Sequence, residues 1–271
     1  MVLADQRFRN NQGNRKDMSI RQNISVVINT YNAEKYLARV LETAKSFDEI
    51  VVCDMESTDS TMAIAQRYGC KIVTFPKADH KSAEPARTFA IQSASCDWVL
   101  VVDADELITP ALHDYLYEFI KEPADIRGLY IPRKNYTMGV FLPASYPDYQ
   151  LRFFIKEGTE WPPYVHTFPT VQGKLSHISK SRKDLALEHL DDSTRATIVR
   201  LNNYTDNEVE KRAGKRVTLT KMIFSPMMRF VKLYFLKGGF RYGIAGFVQA
   251  QRSAIYKFTV LCKLYEKQIG L

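Results

Sequence analysis

Long apolar runs are missing from this sequence. Nowhere do 18 apolar residues stand together, and about that many are needed for a helix to cross a bilayer. The polar opening, Met1 to Asn23, lacks the apolar centre of a secretory leader and reads as a disordered lead-in over residues 1–22. Cysteine is scarce. Cys53, Cys70, Cys96 and Cys262 show no C-x-x-C spacing, which excludes a small disulfide framework. Cys53 and Cys96 lie in or beside apparent strands and read as buried free thiols of a reducing compartment. No glycine-rich loop with a lysine follows the first strand, and no RNA- or DNA-binding motif is present. Acids run out towards the end of the chain. From Lys215 onward there are eleven Lys or Arg and one acid, Glu266, against a net charge of +8 for the whole. A basic C-terminal segment on a near-neutral body implies an anionic surface as partner.

What is present is an ordinary globular composition: 271 residues, 45% hydrophobic and 25% charged. That length makes one large domain, or one domain with an appendage. The most informative stretch is Trp98-Val99-Leu100-Val101-Val102-Asp103-Ala104-Asp105-Glu106. Its apolar run does not alternate, as in a strand buried on both faces of a parallel sheet. Three acids in four residues then end it, where open α/β sheets place their ligands. Carboxylates this close repel one another, so a divalent cation such as Mg2+ or Mn2+ is a natural partner. An acidic helix start is the plainer alternative.

The flanking elements follow a regular order. Ile24–Asn29 reads as a strand, Ala33–Phe47 as a helix, Glu49–Cys53 as a strand ending at Asp54, and Lys71–Phe75 as a third strand. The loop Met55 to Thr61 is rich in capping residues and opens a helix reaching about Tyr68. A helix over about Ser82–Ser95, with Pro85 in its first turn, leads into the acidic-ended strand. Strands alternating with helices mean β-α-β units, a parallel sheet and right-handed crossovers. Beyond it, Leu107–Ile120 reads as a helix capped by Thr109, and Gly128–Arg133 and Gln150–Ile155 read as strands. Asn135–Tyr149, rich in aromatics, Gly and Pro, is either an acceptor-side loop or core filling.

Four pieces now stand in order: Thr30-Tyr31-Asn32-Ala33-Glu34, Asp54-Met55-Glu56-Ser57-Thr58-Asp59-Ser60-Thr61, Pro85-Ala86-Arg87-Thr88 and Asp103-Ala104-Asp105-Glu106. Together they resemble the nucleotide-sugar half of an inverting family 2 glycosyltransferase. Tyr146 to Phe154, with Trp161 and Val165-His166, is similar to the subgroup containing lipopolysaccharide-core β-1,4-glucosyltransferases. The resemblance implies the GT-A fold, a Rossmann-like and mostly parallel sheet with helices on both faces. It would occupy residues 23–195, followed by a helical, basic, membrane-associating appendage over 196–271. It implies transfer of a hexose from a nucleotide diphosphate sugar, a UDP-sugar by preference, to a lipid-linked or core saccharide.

The resemblance also implies residue roles. Asp54 would read the uracil base, with Thr30, Tyr31 and Glu34 beside the donor. Asp59, by its own chemistry, reads more simply as a cap of the following helix. Arg87 would meet the diphosphate, order the acidic loop, or remain a solvated helix-face cation. Asp103 would lie near ribose and metal, and Asp105 would be the firmer metal ligand. Inversion needs a base for the acceptor hydroxyl. Asp148, ahead of the strand carrying Arg152, is the first choice, with Glu160 and His166 in reserve. His166 is alternatively a metal ligand, a phosphate contact or a structural histidine. Thr167 stands where the subgroup commonly has glutamate, so no role for that glutamate carries over. His189-Leu190-Asp191-Asp192 is similar to a second histidine segment, without an assigned role.

The last segment alternates apolar residues and cations, as in Met227-Met228-Arg229-Phe230-Val231-Lys232 and on through Phe247, Arg252 and Phe258. This suits a monotopic helix on anionic lipid, or a helical hairpin packed on the catalytic body. The expected setting is cytoplasmic, peripheral on the inner face of the cytoplasmic membrane, with no nucleic-acid partner. A sugar nucleotidyltransferase is the enzymatic alternative, weakened by the missing phosphate loop. A non-catalytic glycan-assembly scaffold is the other, weakened by Asp54, Asp103 and Asp105.

Overall fold

The computed structural model describes residues 22–80, 82–163, 167–191, 193–212, 214 and 216–271. The lead-in and Val165-His166 therefore lie outside the described residues, apart from Gln22.

The strands are β1 (Ile24–Thr30), β2 (Glu49–Asp54), β3 (Lys71–Thr74), β4 (Trp98–Asp103), β5 (Glu106–Leu107), β6 (Ile126–Ile131), β7 (Arg133–Thr137), β8 (Val140–Phe141), β9 (Gln150–Ile155), β10 (Lys174–His177) and β11 (Leu187–His189). The helices are α1 (Glu34–Ala44), α2 (Thr61–Arg67), α3 (Glu84–Gln92), α4 (Pro110–Phe119), α5 (Thr194–Lys211), α6 (Leu219–Val231) and α7 (Gly243–Ile269). The main sheet runs β10-β6-β9-β4-β1-β2-β3. β1, β2, β3 and β4 are mutually parallel, while β9 is antiparallel to both its neighbours. A smaller sheet, β5-β11-β7-β8, sits beyond the end of β4.

The acidic-ended strand is central, as its unbroken apolar run required. Trp98 to Val102 are fully buried. Alternate residues serve two cores: Trp98, Leu100 and Val102 pack with α1 and α4 on one face, and Val99 and Val101 pack with α3 on the other. Burying such side chains is worth about 1.5–3 kcal/mol each, so the strand end is a rigid platform. The four cysteines are free thiols. Burial pushes Cys53 up to about 12, so it is inert at neutral pH.

Two expectations change in detail. Thr109 caps α4 as foreseen, its Oγ1 accepting from the Leu112 amide at 3.2 Å. But Glu106-Leu107 forms β5 rather than the first turn of that helix, because it pairs with β11. And Asn135–Tyr149 is largely a β7–β8 hairpin followed by a short 3-10 turn at Pro143–Ser145, not an open loop.

At the C-terminal end, α5, α6 and α7 share a small core of Val209, Val217, Val260, Leu261 and Leu264. A π-helical turn, Lys232–Leu236, joins α6 to a tight bend. There Gly246 of α7 meets Gly239 so closely that an added Cβ would lie 1.9 Å from the Gly239 carbonyl oxygen. Among the described residues no helix is long and apolar enough to cross a membrane.

Candidate active site

Two of the three acids at the end of β4, Asp103 and Glu106, are answered by three arginines. Arg87 of α3 donates from Nη2 to Asp103 Oδ1 at 2.7 Å. Arg152 of β9 donates from Nη2 to Oδ2 at 2.5 Å and from Nη1 to Oδ1 at 3.3 Å. Arg133, at the start of β7, lies 4.0 Å from Asp103 Oδ2 and donates to Glu106 Oε1 at 2.9 Å. Glu106 is fully buried and also accepts from the Asp103 amide at 3.0 Å. Burial works against the Asp103 carboxylate, yet the guanidiniums of Arg152, Arg87 and Arg133 outweigh it and hold its pKa well below the usual range. Trp161 braces the cluster, with Arg87 4.5 Å and Arg152 5.7 Å from its ring centroid.

Asp103, expected near ribose and metal, is paired with arginines of the chain. Repulsion between the acids is relieved by fixed cations of the chain, and both Asp103 oxygens are engaged. Arg133 was missed because nothing local to Ile131-Pro132-Arg133 marks it. Only the pairing of β7 and β11 brings it to the strand end.

Asp105 is different. Its Oδ2 faces His189 Nε2 at 3.4 Å and Arg200 Nη1 of α5 at 3.9 Å. The β5–β11 ladder sets His189 opposite Glu106, and Leu190 donates its amide to the Asp105 carbonyl at 2.8 Å. Asn135 Oδ1, 3.0 Å from His189 Nδ1, orients the ring. Burial disfavours the charged ring, but the hydrogen bond and charge of Asp105 outweigh it, and the pKa of His189 is raised. A hard carboxylate and an imidazole nitrogen side by side at a strand end suit Mn2+ or Mg2+ if phosphate oxygens and water complete the shell. Asn135 is the kind of partner that fixes a ligating histidine. Among the described residues, no three His, Cys, Asp or Glu gather around one point, so any such site needs its ligand's oxygens.

Asp54 is held by its own loop. It is 2% exposed, and its carboxylate accepts from Thr30 Oγ1 at 2.8 Å, the Ser57 amide at 2.8 Å and Ser57 Oγ at 2.6 Å. These bonds shape the loop at the end of β2. Glu34 and Asp59 tie two helix starts together: Ser60 donates its amide to Glu34 Oε2 at 3.0 Å, and Glu34 donates its amide to Asp59 Oδ2 at 3.1 Å. Asp59 Oδ1 accepts from the Thr61 amide at 2.9 Å, from one residue before the cap position of α2, which Ser60 occupies without a side-chain cap bond. Tyr31, by contrast, presents an exposed ring with Lys77 Nζ 5.0 Å from its centroid.

Asp148 joins the arginine cluster. Its φ of 33° is unusual for a residue with a side chain. Oδ2 accepts from Arg133 Nε at 2.9 Å and Asn135 Nδ2 at 2.7 Å, while Oδ1 accepts from Gln150 Nε2 at 3.2 Å. Glu160 is exposed on an isolated bridge to Thr170. His166 lies outside the described residues.

A central parallel strand ending in D-x-D, with an antiparallel β9 beside it and a second small sheet over its end, is the architecture of a GT-A glycosyltransferase. The sequence model described as Glycosyl transferase family 2 matches residues 25–175, and the chain belongs to that family. Along nearly its whole length it is similar to the lipopolysaccharide core biosynthesis glycosyltransferase LpsC of Rhizobium meliloti, with 29% identity covering 90% of this chain and 92% of that one. An uncharacterized glycosyltransferase of Rickettsia conorii is 28% identical over 93% of each chain. Among solved structures, the mannosyltransferase PcManGT of Pyrobaculum calidifontis, in complex with GDP-Man and Mn2+, shares the fold with a TM-score of 0.54. It covers 90% of this chain and 87% of that one at 15% identity.

Proposed function

We propose that this glycosyltransferase moves a hexose, with inversion, from a nucleoside diphosphate sugar to a lipid-linked saccharide of the lipopolysaccharide core. The observation that carries this reading is the split at the end of β4, where Asp103 is neutralised by arginines while Asp105 faces His189. The likeness to LpsC supports the acceptor class.

In this reading Asp105 and His189 hold the divalent cation, Mg2+ or Mn2+, which supplies charge neutralisation to the departing diphosphate. Arg87 and Arg152 keep Asp103 fixed, and Asp103 in turn orders the strand end against which the donor rests. Tyr31 offers its exposed ring to the nucleotide base. The donor is proposed as a nucleoside diphosphate hexose, with UDP as the preferred nucleotide. Asp148 remains the proposed general base. One guanidinium, that of Arg133, links it to Glu106 and to Asp103, and its Oδ1 would meet the acceptor hydroxyl once Gln150 yields. The proton then passes from that hydroxyl to Oδ1 as the sugar–oxygen bond forms.

The exposed apolar ridge of the C-terminal helices supports a peripheral membrane position. Phe235, Leu236, Phe240, Ile244 and Phe247 are exposed, Leu236 and Ile244 at 76% each. Lys232, Lys237 and Arg241 punctuate them. Large exposed apolar patches on soluble proteins mark interaction sites, and this pattern of aromatics and cations suits anionic lipid at the cytoplasmic face.

The test is a panel of UDP- and GDP-hexoses, each with and without Mn2+, read as protection against thermal unfolding and then as transfer to de-acylated lipopolysaccharide core. Ligand at 100 times its Kd raises stability by about 2.7 kcal/mol. Metal-dependent protection by one donor is expected; no protection by any donor would overturn the reading.

A further inference from the structure

Two cavities lie end to end between the Asp105–His189 pair and the apolar ridge. The first, of about 440 Å³, opens beside His189 and is walled by Arg200, Arg229 and Arg252. The second, of about 430 Å³, shares Arg229, Ser253 and Tyr256 with it and adds Arg212, Lys232 and Lys257. It ends at Met228 and Leu236, which belong to the exposed apolar ridge. Among the described residues lining either cavity, Asp191 is the only acid. Tyr31, Asp54, Arg87 and Asp103 line neither, so the groove meets the donor side at His189 and runs away from it.

The cations come from different elements and are held in place. Arg229 of α6 donates from Nε to Ser253 Oγ of α7 at 2.8 Å. Arg252 of α7 donates from Nη2 to Thr194 Oγ1 at 3.1 Å and lies 3.8 Å from Asp191 Oδ1. Arg212, after α5, is paired with Glu208. Such bonds use part of each guanidinium and fix its plane, and a fixed fork with donors to spare suits phosphate or carboxylate. A concave wall of one sign also focuses its field on an opposite charge. Tyr136, Tyr204 and Tyr256 stand among these cations and offer ring faces to sugar.

We propose that this groove is the acceptor site, and that the acceptor is an anionic saccharide bearing phosphate or carboxylate groups along its chain. Its reacting end lies at His189 and its lipid-linked end at Leu236. The proposal rests on the glycosyl-transfer reading for the identity of its occupant, while the groove itself can be tested without any transfer.

The experiment uses the full chain and de-acylated lipopolysaccharide core oligosaccharide as probe, measured by calorimetry. Wild type, the double variant Arg229→Gln/Arg252→Gln and the charge-keeping Arg229→Lys/Arg252→Lys are compared, with matching unfolding temperatures establishing that each is folded. The Gln variant should bind the oligosaccharide at least about tenfold more weakly, the Lys variant should fall between, and wild-type affinity should drop with salt. Oligosaccharide stripped of phosphate and reduced at its carboxyls should bind wild type and Gln variant alike. Binding within twofold of wild type in a folded Gln variant would overturn the proposal. So would an unchanged oligosaccharide affinity with lost binding to phosphatidylglycerol vesicles, which would make the groove a headgroup site. Binding of UDP or GDP with Mn2+ is followed in parallel. Its absence from wild type would count against the glycosyl-transfer reading, whereas its presence with unchanged oligosaccharide binding would count against the groove alone.

Discussion

The arginines at the end of β4 and those of the C-terminal helices are one residue type in opposite settings. Arg87 and Arg152 are buried, and with Arg133 they face Asp103, Glu106 and Asp148, so charge is matched within the chain. Arg229 and Arg252 line a groove with Asp191 as its only acidic wall residue among those described. Matched charge positions and rigidifies; a surplus of one sign, held in a concavity, suits a ligand of the other. The same contrast recurs within D-x-D itself, between the enclosed Asp103 and the histidine-facing Asp105.

The sharpest way to break the comparison is to unmatch the first region. Arg152→Met should cost about 3 kcal/mol of stability, because it removes one of the guanidiniums that offset the buried Asp103 and Glu106 carboxylates, whereas Arg252→Met should cost far less. Urea denaturation of both variants checks this. Acid sharpens it. The folded-state pKa of Asp103 is depressed, so its contribution is present above the ordinary carboxylate range and is lost as pH falls through the depressed value. In Arg152→Met this acid-dependent part should shrink.

Next in size is the split within D-x-D. Asp105→Asn should lower turnover about a hundredfold or more, on the order of 3 kcal/mol, with little change in unfolding temperature. A variant that unfolds early would instead place Asp105 in the structural lattice.

These two predictions also show where sequence reasoning stopped. The parallel half was legible because its signals are local: Trp98 to Val102 can only be a strand buried on both sides, and Thr109-Pro110 can only start a helix. The identity of the charge partners was not. Whether Asp103 meets a metal or an arginine depends on β9 and β7, some 30 to 50 residues further on. His189 was noticed but left without a role, because only the β5–β11 ladder, formed by a two-residue and a three-residue strand, brings it to Asp105. The contacts of Asp54 were hidden for a similar reason. Its motif fixes where the side chain starts, while Thr30 and Ser57 decide where it points.

A smaller effect tests the helical region alone. Gly246→Ala drives a methyl into the Gly239 backbone and should cost about 1–3 kcal/mol, with nucleotide binding retained and oligosaccharide and vesicle binding weakened. Smallest of all, Phe235→Ser/Leu236→Ser should weaken partition onto phosphatidylglycerol vesicles about tenfold, since part of two apolar side chains no longer enters the lipid. Sedimentation with vesicles reads it; equal partition would favour a ridge that meets something other than membrane.

The most direct measurement is a Mn2+ titration followed by electron paramagnetic resonance, with UDP or GDP present, on wild type, Asp105→Asn, His189→Gln and Asp103→Asn. One Mn2+ per chain is predicted for wild type and for Asp103→Asn, with binding lost in Asp105→Asn and His189→Gln. Mn2+ retained in His189→Gln but lost in Asp103→Asn would move the metal to the arginine-bound carboxylate and contradict the account.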